Sequence, residues 1–122
     1  MATIDTTEES FEELITDNSI VLVDFWAGWC GPCRMFAATF AAASEKHPDL
    51  TFAKVDTEAQ QGLAAAAGIR SIPTLMVFRE KVLVYSQPGA LNSASLEALI
   101  TSVQNIDMVE VHRSIAAQQA SA

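Results

Sequence analysis

Apolar residues occur along the chain in two kinds of pattern, one typical of strands and the other typical of helices. Residues 20–26 are apolar apart from Asp24, and such a run is typical of a central strand buried on both faces. In residues 96–106, apolar side chains recur every three or four positions, which predicts a helix that packs on the core. The full pattern predicts strands at 2–4, 20–26, 50–56, 74–78 and 82–86, and helices at 7–17, 35–46, 58–67 and 93–106.

The order of these elements predicts the fold class. We expect an α/β protein with a central mixed five-stranded sheet flanked by four helices, in the order βαβαβαββα. Thr6 and Glu9 have the spacing of a capping box at the start of the first helix. Asn92 or Ser93 is expected to cap the last helix. Residues 79–81 join the hairpin without the Gly or Asn that such turns usually contain.

Length and charge narrow the class of protein. A chain of 122 residues has the usual size of one domain. Its formal net charge of −8 disfavours nucleic acid as a partner, because nucleic acid is bound through Lys and Arg. No apolar run is long enough for a membrane span, and the first ten residues lack the basic start and apolar stretch of a secretory signal. We therefore expect a cytoplasmic monomer.

Cys30 and Cys33 are the only cysteines, and they lie where the buried strand leads into a helix. The N–H groups at a helix start have no partners within the helix, so this position favours a thiolate, the reactive form of cysteine. Pro32 suits the first helical turn, since its missing N–H would have been unbonded there. Residues three apart share one helix face, so Cys33 can reach back to Cys30. The pair is therefore a candidate redox centre.

Two other interpretations of the cysteines stay open at this point. Zinc requires four ligands, and His47 and His112 are the only histidines, both far along the chain from Cys33. A pair of inert buried cysteines is the other alternative, and a helix start disfavours it. We expect no metal.

Residues 23–33 resemble the active-site signature of the thioredoxin family, with residues 69–75 and 89–91 matching its second and third landmarks. The resemblance extends from about residue 8 to 104 and implies the thioredoxin fold. It also implies that Cys30 attacks a disulfide in a client protein and that Cys33 resolves the mixed disulfide. No cofactor would be bound. The Cys30–Cys33 disulfide would be reduced back to the dithiol by NADPH through thioredoxin reductase.

Two charged residues are candidates for helping this exchange. Phe25 and Trp26 continue the apolar run past Asp24, so we expect Asp24 to be buried with a raised pKa, against the alternative of a solvated charge at the strand end. The resemblance implies that Asp24 takes the proton of Cys33. It also places Lys54 near Asp24 as a modulator of its pKa, the alternative being an exposed strand lysine.

The resemblance further implies a flat, mostly apolar surface around Cys30 that holds the client. Pro73 stands where the family has a cis-proline, while a trans-proline at a strand start is the ordinary alternative. In the family, the backbone just before this proline binds the extended chain of the client. The surface would comprise Trp29, Gly31, Pro32, Ile72, Pro73, Gly89 and Ala90.

Besides the hairpin turn, the chain departs from the family pattern in the long helix and at its C-terminal end. Ala38 stands where most members have a proline that kinks the long helix. Residues from about Asn105 onward exceed the family length. We divide the chain into a thioredoxin domain at 1–106 and a partly flexible extension at 107–122 that frays from residue 116. In that extension Met108, Val109 and Val111 would lengthen the last helix, dock on the domain or drive self-association.

Three functions are compatible with these residues. The first is a general reductase of protein disulfides, and the second is a redox partner dedicated to one or a few clients. The third is a binding module whose cysteines are incidental, which the intact pair disfavours. Gly31 and Pro32 between the cysteines favour a reductant, because strongly oxidising relatives usually carry a histidine there.

Overall fold

A five-stranded mixed sheet lies at the centre of the computed structural model, which describes residues 2–121. The strands are β1 (Thr3–Asp5), β2 (Ile20–Trp26), β3 (Thr51–Asp56), β4 (Thr74–Arg79) and β5 (Val82–Pro88). They lie in the order β1-β3-β2-β4-β5, with β3 parallel to both β1 and β2, and β4 antiparallel to both β2 and β5. The predicted mixed sheet is confirmed.

Five helices accompany the sheet within residues 2–121, one more than predicted. They are α1 (Phe11–Asp17), α2 (Gly31–Lys46), α3 (Gln61–Ala66), α4 (Ser93–Gln104) and α5 (Met108–Ser121). Side chains of α2 and α4 pack on one face of the sheet, and side chains of α1 and α3 pack on the other. The central strand β2 is therefore covered on both faces, as its apolar sequence predicts.

The first helix begins later than the sequence predicts. Residues 8–10 form a turn in which the Thr7 carbonyl accepts hydrogen bonds from the N–H groups of Ser10 and Phe11. The hydroxyls of Thr6 and Ser10 are hydrogen-bonded to each other, 2.8 Å apart. Because α1 starts at Phe11, Thr6 is not its N-cap, and the predicted capping box is wrong.

The fourth helix has the predicted start and N-cap, and it ends at Gln104, two residues before the predicted end. Asn92 is the N-cap, and its side-chain oxygen accepts a hydrogen bond from the Ser95 N–H at 2.8 Å. At the other end, the Arg79 guanidinium donates to the carbonyls of Val103, Gln104 and Ile106. Val103 and Gln104 belong to the last turn of α4, where carbonyls lack the usual partner four residues further along the helix. Arg79 of strand β4 therefore supplies hydrogen bonds at the end of this helix. The apolar stripe of Leu96, Ile100 and Val103 is buried in the core.

The segment beyond residue 106 forms a separate helix, α5. Met108 is buried at its start, and His112 Nε2 lies 2.9 Å from Glu80 Oε1 in the β4–β5 turn. Val109 faces away from the body, with 81% of its surface exposed. The helix α5 therefore docks on the rest of the chain. Residues 116–121, which we expected to fray, are helical, while Ala122 lies outside the described residues.

None of the helices within residues 2–121 has the length and apolar content that a membrane span requires.

The hairpin between β4 and β5 turns through two residues that both have positive φ, Glu80 at 50° and Lys81 at 71°. Such turns usually contain Gly, which has no Cβ atom to disfavour this backbone conformation, or Asn, whose short polar side chain tolerates it. We expect Lys81→Gly to raise the free energy of unfolding by about 1 kcal/mol, measured by urea denaturation. Lys81→Ala removes the same charge but keeps the Cβ atom, so it serves as the matched control. Equal stability of the two variants would contradict this account.

Candidate active site

The two cysteines form a disulfide at the start of α2. Cys30 is the N-cap residue with an extended backbone, so its side chain lies over the first turn of the helix. Its Sγ accepts a hydrogen bond from the Cys33 N–H at 3.1 Å, and the two Cα atoms are 5.2 Å apart. The predicted geometry, in which Cys33 reaches back to Cys30, is confirmed. Donation from an N–H at the positive end of the helix favours a thiolate on Cys30 once the disulfide is reduced.

The two cysteines differ in their exposure to solvent. Cys30 retains 5% of its surface and Cys33 only 1%, while the neighbouring Trp29 is 70% exposed. The Ile72 carbonyl oxygen lies 3.7 Å from Cys30 Sγ. An approaching disulfide therefore meets Cys30, Trp29 and the backbone of Ile72 before it can reach Cys33.

A cavity of about 540 Å³ opens beside Cys30. Four of the predicted client-binding residues, Trp29, Gly31, Pro32 and Ile72, line it. The cavity has further lining residues that the sequence did not indicate as client-binding, namely Thr57, Ala64, Ile69, Arg70 and Ser71. Most of these belong to the segments that follow β3 and precede β4, and part of the second family landmark, residues 69–71, was the signal that could have indicated them.

The remaining predicted surface residues lie around Pro73. The Ile72–Pro73 peptide bond is cis, which confirms the family expectation over a trans-proline. The Pro73 carbonyl accepts a hydrogen bond from the Gly89 N–H at 2.8 Å, so the third family landmark lies against the second. Ala90 follows Gly89 and is exposed. Neither Gly89 nor Ala90 lines the cavity beside Cys30.

Asp24 is fully buried in β2, as predicted, and is not a solvated charge at the strand end. Its two carboxyl oxygens have no hydrogen-bond partner in the described part of the chain. Burial raises the pKa of the Asp24 carboxyl from 3.8 to about 7, and the nearby positive charge of Lys54 opposes part of that rise. At neutral pH this group exists in both protonation states, so it can accept or release a proton.

The sheet places Asp24 beneath α2. Alternate residues of a strand share one face, so Asp24 lies on the same face as Leu22, which packs with Phe36 and Phe40 of α2. Cys33 lies on the buried side of the same helix, one turn before Phe36. The carboxyl and the second sulfur therefore occupy one buried layer at the active-site end of the sheet.

Lys54 is the register partner of Asp24 on the neighbouring strand β3. Its Nζ lies 5.1 Å from the centre of the Trp26 ring, a distance at which a cation interacts favourably with the face of an indole. Lys54 is partly buried, and its charge acts on Asp24 as well as on this ring, so it is not the freely exposed strand lysine of the alternative interpretation.

The histidines that could have completed a zinc site lie elsewhere. His47 Nε2 is 2.7 Å from Glu97 Oε1, which links α2 to α4, and His112 contacts Glu80. Residues 2–121 contain no cluster of three or more His, Cys, Asp or Glu side chains that could hold a metal ion.

A disulfide that closes over four residues at the head of a helix, on a mixed sheet of this order, defines a thiol–disulfide oxidoreductase. The thioredoxin family model matches residues 2–102. The chain therefore belongs to the thioredoxin family, and its redox-active cysteine pair gives it protein-disulfide reductase activity.

Individual relatives agree with this assignment. "Putative thioredoxin 2" of Streptomyces coelicolor is 53% identical over 121 residues, which cover 99% of this chain and 90% of the relative. The thioredoxin of Porphyra purpurea is 39% identical over 102 residues, covering 82% of this chain and 95% of the relative. The solved structure of a mutant thioredoxin from Halobacterium salinarum superimposes with a TM-score of 0.79 at 32% identity, covering 85% of this chain and 92% of the other. The Streptomyces alignment extends into α5, beyond the family model.

Proposed function

We propose that this chain is a general reductant of client-protein disulfides, recharged by NADPH through a thioredoxin reductase. The observation that carries the proposal is the closed Cys30–Cys33 pair, whose outer sulfur lies at a helix start beside an exposed tryptophan and a backbone carbonyl. This arrangement lets another protein's cystine approach the Cys30 sulfur while the Cys33 sulfur stays behind it.

The reaction begins with the reduced dithiol. The Cys30 thiolate attacks one sulfur of the client cystine, forming a mixed disulfide and releasing the other client sulfur as a thiolate. Cys33 then loses its proton and attacks Cys30 Sγ, which releases the second client sulfur. Two electrons pass to the client, and the Cys30–Cys33 disulfide remains.

Asp24 is the proposed acceptor of the Cys33 proton. Its complete burial beneath α2 and its pKa of about 7 support this role, because a base with such a pKa can take up a proton at neutral pH and return it. Lys54 is the proposed modulator. Its positive charge beside Asp24 lowers the pKa of that carboxyl and keeps it near neutrality.

The client is proposed to lie across the surface of Trp29, Gly31, Pro32, Ile72, Pro73, Gly89 and Ala90. The short distance from Cys30 Sγ to the Ile72 carbonyl supports this placement, since an extended client chain bound to the Ile72 backbone would bring its cystine to Cys30. The cavity beside Cys30 has room for the side chains that flank that cystine.

The setting is proposed to be the cytoplasm, where thiols are kept reduced and a dithiol reductant can act. We propose that the protein works as a monomer, with residues 1–106 as the thioredoxin domain and 107–122 as an extension. A net charge of −8 supports this by keeping copies of the chain apart.

The test is reduction of insulin disulfides by the full chain with NADPH and the reductase of the same organism. We expect continuous NADPH consumption that requires all three components and stops in Cys30→Ser. No turnover with intact thiols would reject the general reductase. Turnover with the physiological client alone, and none with insulin or other unrelated disulfide proteins, would favour the dedicated partner.

A further inference from the structure

Thr74 carries a buried hydroxyl next to the proposed client surface. It is the first residue of β4, it retains 6% of its surface, and it pairs with Phe25 of the central strand. Its hydroxyl donates a hydrogen bond to the Ser71 carbonyl oxygen at 2.6 Å. This bond connects the strand to the loop of residues 71–73, which passes Cys30.

Three consecutive carbonyls of this loop have defined contacts. The Ser71 carbonyl accepts from the Thr74 hydroxyl, and the Pro73 carbonyl accepts from the Gly89 N–H at 2.8 Å. The Ile72 carbonyl between them lies 3.7 Å from Cys30 Sγ. Because the carbonyls before and after that of Ile72 are both hydrogen-bonded, the loop is held on each side of the Ile72 carbonyl, and this restricts the orientation of that carbonyl toward Cys30.

The hydroxyl of Thr74 is not needed for the strand itself. Valine has the same branched shape and fits a buried strand position equally well. A buried hydroxyl is unfavourable unless it is hydrogen-bonded, so its benefit must come from the bond that it makes. Here that bond leads to the loop and not to a neighbouring strand.

We propose that Thr74 is a positioning residue for disulfide exchange, whose hydroxyl holds the loop of residues 71–73 so that the Ile72 backbone receives the client's main chain beside Cys30. The inference rests on the proposed client surface. Thr74 touches neither sulfur, and it acts only through the Ser71 carbonyl.

The experiment compares two disulfides that are reduced by the pre-reduced full chain in single-turnover measurements. Insulin presents a main chain to Ile72, whereas bis(2-hydroxyethyl) disulfide has none. We expect Thr74→Val to lower the second-order rate constant for insulin roughly tenfold, the effect of losing one buried hydrogen bond. The rate constant for the small disulfide should stay within about twofold, because the chemistry of Cys30 is intact.

Rescue separates positioning from a loss of structure. Thr74→Ser keeps the hydroxyl and should restore the insulin rate, although it lacks the methyl group. If Thr74→Val does not fold, Thr74→Ser and Thr74→Ala form a second pair that differs only in the hydroxyl. An unchanged insulin rate without the hydroxyl, or an equal loss with both disulfides, would overturn the proposal. Retained reduction of the small disulfide also shows that the exchange chemistry itself has not failed.

Discussion

Replacing Cys33 with serine is expected to turn the protein into a trap for its own clients. The Cys33 N–H that donates to Cys30 Sγ belongs to the backbone, so Cys33→Ser retains the group that favours a thiolate on Cys30. The first attack therefore proceeds, but a serine hydroxyl does not displace the client sulfur. Steady-state insulin reduction should fall to the rate measured without the protein.

The trapped species is a mixed disulfide on Cys30, one client per chain. Non-reducing electrophoresis and mass spectrometry of the Cys33→Ser variant should detect it, and added dithiol should release the client. Cys30→Ser is the matched control, because it removes the more accessible sulfur and leaves the less accessible one. Adducts on Cys33 in that control would show that the two cysteines have the opposite roles. The absence of adducts in Cys33→Ser would contradict Cys30 as the attacking thiol.

Replacing Asp24 with asparagine is expected to change the pH dependence of stability. The carboxyl has a pKa of 3.8 when exposed and about 7 in the fold. Between these values the folded chain keeps a proton that the unfolded chain has lost, so the free energy of unfolding falls as pH rises from about 4 to about 7. Above that range the fold contains an unfavourable buried charge, and this charge is absent from Asp24→Asn.

Asp24→Asn should therefore raise the free energy of unfolding at pH 8 by about 4 kcal/mol relative to the parent chain. The two chains should be much closer in stability at pH 4. Guanidinium denaturation of the oxidised forms at both pH values measures the difference. Asp49→Asn makes the same chemical change at an exposed site and should leave stability nearly unchanged. An equal gain in the free energy of unfolding for Asp24→Asn and Asp49→Asn would contradict the proposal that burial of the Asp24 charge causes the effect.

The same variant should slow the second step of the exchange. Asparagine cannot accept the Cys33 proton, so release of the reduced client should slow by roughly 100-fold, the lower end of the range for general acid–base catalysis. The first attack by Cys30 should keep its rate. Rapid-quench analysis of one turnover separates the two steps, and an unchanged second step would exclude Asp24 as the base.

The sequence predicts the parts of this fold that depend on local pattern. The apolar run around Asp24 indicated the central strand. Because apolar residues continue this strand on both sides of Asp24, the run also indicated that the carboxyl is buried. The predicted start of α1 was wrong, because the Thr6 hydroxyl is hydrogen-bonded to Ser10 within a turn and does not cap the helix. A short polar segment allows both geometries, and only the surrounding structure selects one.

The placement of α5 depends on contacts that are distant in sequence. Its start is capped locally by Asp107, whose carboxylate accepts a hydrogen bond from the Glu110 N–H at 3.1 Å. Its position on the rest of the chain depends on the burial of Met108 and on the contact of His112 with Glu80 in the hairpin turn. Nothing in the apolar pattern of residues 107–122 indicates these partners. The same holds for the cavity residues Thr57 and Arg70, which come to Cys30 only because β3 and β4 both flank β2.

The attachment of Arg79 to the last carbonyls of α4 has a practical consequence for handling the protein. Thr74 marks the catalytic end of β4, and Arg79 lies at the opposite end of the same strand. The corner leading into α5 is therefore anchored on the far side of the molecule from Trp29. A fluorophore or resin linked through α5 should leave the redox face open to solution, so immobilised protein can still capture its clients.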